Sequence, residues 1–121
     1  MRKLIVLLCI LLWPGLAAAG FDEALAAYKK SDFKTAAREF QKLAKQGNAK
    51  AQYILGLMYR QGQGVPQDYV QAHQWLSLAA ASGEKEAIKF RDLLTAKMTA
   101  SQIREAQRLA RAWSAQHAKK K

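Results

Sequence analysis

The side chains best suited to act as metal ligand, nucleophile or general base are few in this sequence: His73, His117, Cys9 and the carboxylates Glu84 and Glu86. His73 has no acidic residue three or four positions away, and no HExxH-type pattern surrounds it. A general base needs oriented partners, so His73 reads as an ordinary, partly exposed helix residue and His117 as a side chain near a loose end. Glu84 and Glu86 are too close in sequence to share a helix face, and neighbouring Lys85 and Lys89 suit solvated ion pairs. A phosphate-cradling loop requires GxxxxGK[ST], whereas Gly62 opens GQGVPQD with no Lys-Ser or Lys-Thr following. No catalytic residue, metal ligand or cofactor site is assigned, and the expectation is a protein that is not an enzyme.

Two other constellations suit binding. Arg104, Arg108 and Arg111 recur at helical spacing opposite Ile103, Ala106, Ala110 and Trp113. They form either a solvated face at a helix C-terminal end or a docking strip for an anionic lipid, an envelope glycan or an acidic protein, extended by Lys119–Lys121. Gln52, Tyr53, Arg60 and Gln61 flank an apolar stripe without completing it, which makes them candidate partner-binding residues. Tyrosine suits a buried edge and an interface equally, so Tyr53 carries both readings.

The chain ends bound where such binding occurs. Arg2 and Lys3, the apolar run Leu4–Trp13, Pro14-Gly15 and Ala17-Ala18-Ala19 have the layout of a secretory signal peptide over residues 1–19, with cleavage after Ala19. The same segment would also serve as a retained N-terminal anchor. Cleavage removes Cys9, so no disulfide braces the remainder and stability must come from helix packing. It also removes Arg2 and Lys3 from 20 basic residues, leaving 18 against 9 acidic ones, a formal charge of +9. A periplasmic or secreted protein of that charge meets envelope polyanions or acidic proteins, and nucleic acid is not expected as a partner.

Helical periodicity organises the rest. Asp22 is expected to cap a short helix to about Lys30, with Leu25 and Tyr28 on its packing side. Asp32 caps the next, Phe33–Gln46, whose Phe33, Ala36, Ala37, Phe40, Leu43 and Ala44 form an apolar face before Gly47. A third helix is expected over Ala49–Gln61, with Ala51, Leu55, Met58 and Tyr59 inward. Gly56 in its middle is either a tolerated defect or, as the densely apolar turn favours, a close helix crossing. Gly62, Gly64 and Pro66 form a connection, and a fourth helix follows over Tyr69–Ser82 with Tyr69, Ala72, Trp75, Leu76, Ala79 and Ala80 inward. Glu84–Lys97 and Ala100–Gln116 complete the set, the last opened by a Thr99/Gln102 capping box.

Displacing the chain by 36 residues superposes Phe33 on Tyr69, Ala36 on Ala72, Phe40 on Leu76, Ala44 on Ala80 and Gly47 on Gly83. The same displacement carries Ala51 onto Ala87, Ile54 onto Phe90 and Leu57 onto Leu93, the pattern of a helix-pair repeat. Arg91 and Asp92 replace Leu55 and Gly56 in the later copy, as expected of a polar terminal element.

Ala51, Gln52, Tyr53, Leu55, Gly56, Met58, Tyr59, Gly62, Gly64, Val65 and Pro66, followed by Asp68, Tyr69, Ala72, Trp75, Ala79, Ala80 and Gly83, resemble the Sel1-like repeat family, relatives of the tetratricopeptide repeat. The resemblance implies an all-α fold, a short right-handed α–α solenoid with a C-terminal capping helix. Its domains would be a repeat region over 20–98, with one near-complete repeat at 51–83, a capping helix over 99–116 and a basic tail over 117–121. It further implies a non-catalytic adaptor or regulator that binds a protein partner. Gly56, Tyr59, Gly62, Gly64, Ala72, Trp75, Ala79 and Ala80 would then be scaffold positions.

Overall fold

The computed structural model describes residues 20–119, without the Lys119 side chain; the signal-like segment 1–19 and Lys120–Lys121 lie outside it. Among the described residues there are six helices and no strand. They are α1 (20–29), α2 (Phe33–Lys45), α3 (Ala49–Gln61), α4 (Tyr69–Ala81), α5 (Lys85–Thr95) and α6 (Ala100–Lys119). All-α architecture follows from the 3.6-residue apolar period that runs through the sequence.

The caps repeat with the sequence. Asp32 accepts from the Thr35 amide and Asp68, 36 residues later, from the Gln71 amide, each satisfying an orphan donor of a first turn. Asn48 does the same for Ala51. At the C-terminal ends the Asn48 amide donates to Leu43 O and the Glu84 amide to Ala79 O, again one repeat apart. Each bond closes around a left-handed glycine, Gly47 or Gly83. After α1 the equivalent bond runs from the Asp32 amide to Ala27 O around Ser31, which takes φ 65° without being glycine. The expected α1 start is corrected: residues 20 and 21 are already helical, so Asp22 lies inside the helix and Phe21 joins the packing face, edge-on to Phe40.

Packing proceeds outward from α3, which lies against α2 and α4, while α4 also carries α5 and α6. One cluster joins Ala24, Ala36, Phe40, Ala44, Leu55 and Met58 to Trp75 and Leu78; a second gathers Ala72, Leu76, Ala79, Ala87 and Leu94. Tyr59 touches both. Complete burial of Phe40, Leu55, Met58, Leu76 and Leu94 supplies about 1.5–3 kcal/mol per side chain, and no disulfide adds to it. Gly56 makes the α3–α4 crossing: a Cβ there would stand 2.8 Å from Leu76 Cγ and 3.2 Å from Ala72 O.

Helix α6 runs parallel to α4. The α4 start (Asp68, Tyr69, Val70) shares a recess with Gln102, and Ser82 beyond the α4 end shares a cleft with Trp113, Ser114 and His117. Ala106 and Ala110 are buried, and Trp113 meets Trp75 edge-on at 6.2 Å. The Thr99/Gln102 capping box forms in both directions. The helix continues to Lys119, past the expected end at Gln116, so His117 is not on a loose end.

Candidate functional site

The four residues singled out along α3 separate into a core position and a surface. Gln52 is 1% exposed; its amide donates to Ala44 O and its Oε1 is buried without a partner. It serves the α2 end and leaves the set of candidate partner contacts. Gln61 is exposed, and Tyr53 and Arg60 are half-buried.

Tyr53 and Arg60 meet on a residue the sequence reading treated only as a packing counterpart of Ile54. The Phe90 ring of α5 lies 6.1 Å from the Tyr53 ring, tilted at 51°, and the Arg60 guanidinium stands 5.7 Å above the Phe90 ring. The three form a ledge across the α3–α5 seam. Leu93, one turn on from Phe90, is 51% exposed and Ile88 is 42% exposed. Burial pushes the Tyr53 phenol up, with Glu86 and then Glu84 adding to the effect, so it stays a neutral hydrogen-bonding group. Arg60 has no carboxylate partner among the described ion pairs, and its charge rests on an aromatic face that holds it in place. The signal for Phe90 and Leu93 was present in the 36-residue displacement: both fall where α3 places half-buried apolar residues, but the helix that follows, α6, packs on α4 and not over them.

The connection after α3 fixes the ledge. Gly62 closes α3 in the left-handed conformation, Gln67 Nε2 donates to Arg60 O, and the Asp68 amide returns to Tyr59 O. Gly64 lies so close to the first turn of α2 that a Cβ would collide with Phe33 O. Tyr28 donates from α1 to Gln63 Oε1, and Gln41 from α2 to the Tyr59 hydroxyl.

Arg104, Arg108 and Arg111 are all exposed on α6, but Arg108 is occupied by Glu105 through two hydrogen bonds of 2.9 and 2.6 Å. That pair holds the Glu105 carboxyl below the usual carboxylate range, chiefly through the hydrogen bond from Arg108. Two cations of the strip, Arg104 and Arg111, are without an ion-pair partner among the described residues.

His73 corrects an expectation: it is 3% exposed, not a partly exposed residue. Its Nδ1 lies 3.3 Å from Ser77 Oγ, and α5 brings Arg91 and Asp92 near it. Burial, then Arg91, lowers its pKa, with Asp92 opposing in part. Among the described residues no group of three or more His, Cys, Asp or Glu could hold a metal ion, and no helix is long and apolar enough to cross a membrane.

Antiparallel helix pairs, repeated caps and a glycine-mediated crossing define a short α-solenoid built from helix repeats. The Sel1 repeat family matches residues 49–84, spanning α3, its glycine loop and α4, so the chain carries a segment that matches a Sel1 repeat. The crystal structure of c5321, described as a protective antigen present in uropathogenic Escherichia coli strains displaying an SLR fold, is similar, with a TM-score of 0.76 and 33% identity. The similarity covers 79% of this chain and 22% of that one, so this chain spans about a fifth of that protein's length. No curated protein matches the sequence. Sel1 repeats generally mediate contacts between proteins.

Proposed function

We propose that this chain is an exported, non-catalytic adaptor that holds a protein partner against the α3–α5 seam. The observation that carries this reading is the Tyr53–Phe90–Arg60 ledge beside exposed Leu93: oriented aromatic area, an apolar side chain and a cation without a carboxylate partner. Aromatic residues and arginine are the types that dominate protein interfaces. Export rests on the signal layout of residues 1–19 and makes a periplasmic or secreted location part of the proposal.

A second reading, attachment to anionic lipid or an envelope glycan through the α6 face, is supported by the exposure of Arg104 and Arg111. The Glu105–Arg108 pair weakens it by neutralising the middle of the strip. The two separate by salt. A complex formed by the segment 20–121 that persists at high salt and is lost in Arg60→Ala/Leu93→Asp supports the protein-binding reading. Retention on anionic vesicles that disappears at high salt and in Arg104→Gln/Arg111→Gln supports the second.

A further inference from the structure

The ledge on the α3–α5 seam carries unlike charge at its two ends. Tyr53 and Arg60 lie about 10 Å apart along the α3 axis, and the Phe90 ring bridges them, 6.1 Å from the Tyr53 ring and 5.7 Å from the Arg60 guanidinium. Two carboxylates stand at the Tyr53 end: burial first, then the charges of Glu86 and Glu84, oppose ionisation of the phenol. At the other end Arg60 has no ion-pair partner among the described residues, and α3 itself contains no acidic residue. Lys89, one turn before Leu93 on α5, is exposed and also without an ion-pair partner among the described residues. Asp92, beside Leu93 in sequence, is engaged by Arg91 at 3.5 Å.

A guanidinium resting on an aromatic ring is held in place without using its N–H donors, and the acceptor that matches their planar fork is a carboxylate. Beside it Leu93 is 51% exposed, so one apolar side chain of a partner would gain buried area there. A second copy of this chain is a poor occupant. Residues 20–121 hold 18 basic residues, the 20 of the whole chain less Arg2 and Lys3, against 9 acidic ones, and two such copies repel.

We infer that the ledge takes an acidic segment of a partner protein, a carboxylate seated on Arg60 and an apolar side chain packed on Phe90 and Leu93; this rests on the seam being the partner site. The two groups of the partner stand roughly 5–7 Å apart, as side chains one helical turn apart or alternate residues of a strand do. Glu86 and Glu84 repel a carboxylate at the Tyr53 end, so the acidic residues of the segment lie on one side only of its apolar residue. Arg60 is half-buried, so salt weakens its pairing less than it would at a fully exposed cation.

Selection of a phage-displayed library of random short peptides on the segment 20–121, with a parallel selection on Arg60→Ala/Leu93→Asp, tests the assignment. Arg60 and Leu93 lie outside both core clusters, and unchanged thermal melting of the variants checks that they fold. Peptides that bind the unsubstituted protein and not the variant are expected to share a large apolar residue with Asp or Glu on one side of it. In a synthetic copy, replacing that acidic residue by its amide is expected to weaken binding roughly tenfold, and to cost little when the protein carries Arg60→Gln. Arg60→Glu is expected to select lysine in place of the acidic residue. Ledge-dependent peptides without an acidic residue, or an amide cost that is the same in Arg60→Gln, would overturn the acidic partner and leave the seam as the partner site. No binding peptide, or only peptides that bind Arg60→Ala/Leu93→Asp equally well, would overturn the seam itself.

Discussion

Gly56 and Leu76 are in such close contact that a Cβ on Gly56 would stand 2.8 Å from Leu76 Cγ, with Ala72 O at 3.2 Å behind it. Leu76 is fully buried, so it has no room to withdraw. Gly56→Ala is therefore expected to destabilise by about 1–3 kcal/mol, the range for overpacking a tight core, despite alanine's better helix propensity. Urea unfolding measures it. Leu76→Ala in the same background is expected to cost less than it does alone, because the two substitutions relieve one another.

Ser31 predicts the opposite sign. It holds φ 65° where the equivalent caps after α2 and α4 use Gly47 and Gly83. Ser31→Gly removes a left-handed penalty and is expected to raise stability by about 0.5–1 kcal/mol, seen as a higher urea midpoint with an unchanged slope.

Gln52 is sensitive to charge. Its amide donates to Ala44 O inside the core, and a glutamate there could not donate while ionised. Gln52→Glu is expected to cost about 3 kcal/mol or more near neutral pH, from a buried charge without a partner. The loss should shrink on acidification as the carboxyl gains a proton. A cost that does not change with pH would contradict it.

His73 gives stability a pH slope. Its folded-state pKa is lowered by burial and by Arg91, so the fold takes up its proton less readily than the unfolded chain does. The contribution is full above the unfolded value of about 6.5 and is lost as pH falls through the folded value. Stability measured from about pH 7 down to about pH 5 should therefore fall less steeply in His73→Leu.

The repeat frame was legible because its determinants are local. Asp32 and Asp68, Gly47 and Gly83, and the Gly56 crossing all follow from residue type and spacing, and the α3 bounds fall where the sequence puts them. The site was legible only in part. Gln52 has the composition of a surface residue, and its burial depends on an α2 carbonyl eight residues away that periodicity does not reveal. Phe90 reads as a packing residue because its repeat counterpart Ile54 lies half-buried against the core; its role on the ledge depends on α6 packing on α4 and leaving that face of α5 uncovered. The burial of His73 does not follow from the pattern of its own helix, and the charged residues that act on it, Arg91 and Asp92, come from α5. The His117 contact with Lys45 spans 72 residues and has no sequence signature.

The protein-binding proposal is tested most directly by placing a photo-crosslinking side chain at exposed Gln61, beside the ledge, and separately at exposed Arg104 on α6, and identifying adducts in cells. The expected result is one discrete protein adduct from position 61, absent when Arg60→Ala and Leu93→Asp are added, and none of that species from position 104. An adduct confined to position 104, or one from position 61 that persists in the Arg60→Ala/Leu93→Asp background, would contradict a partner seated on the α3–α5 seam.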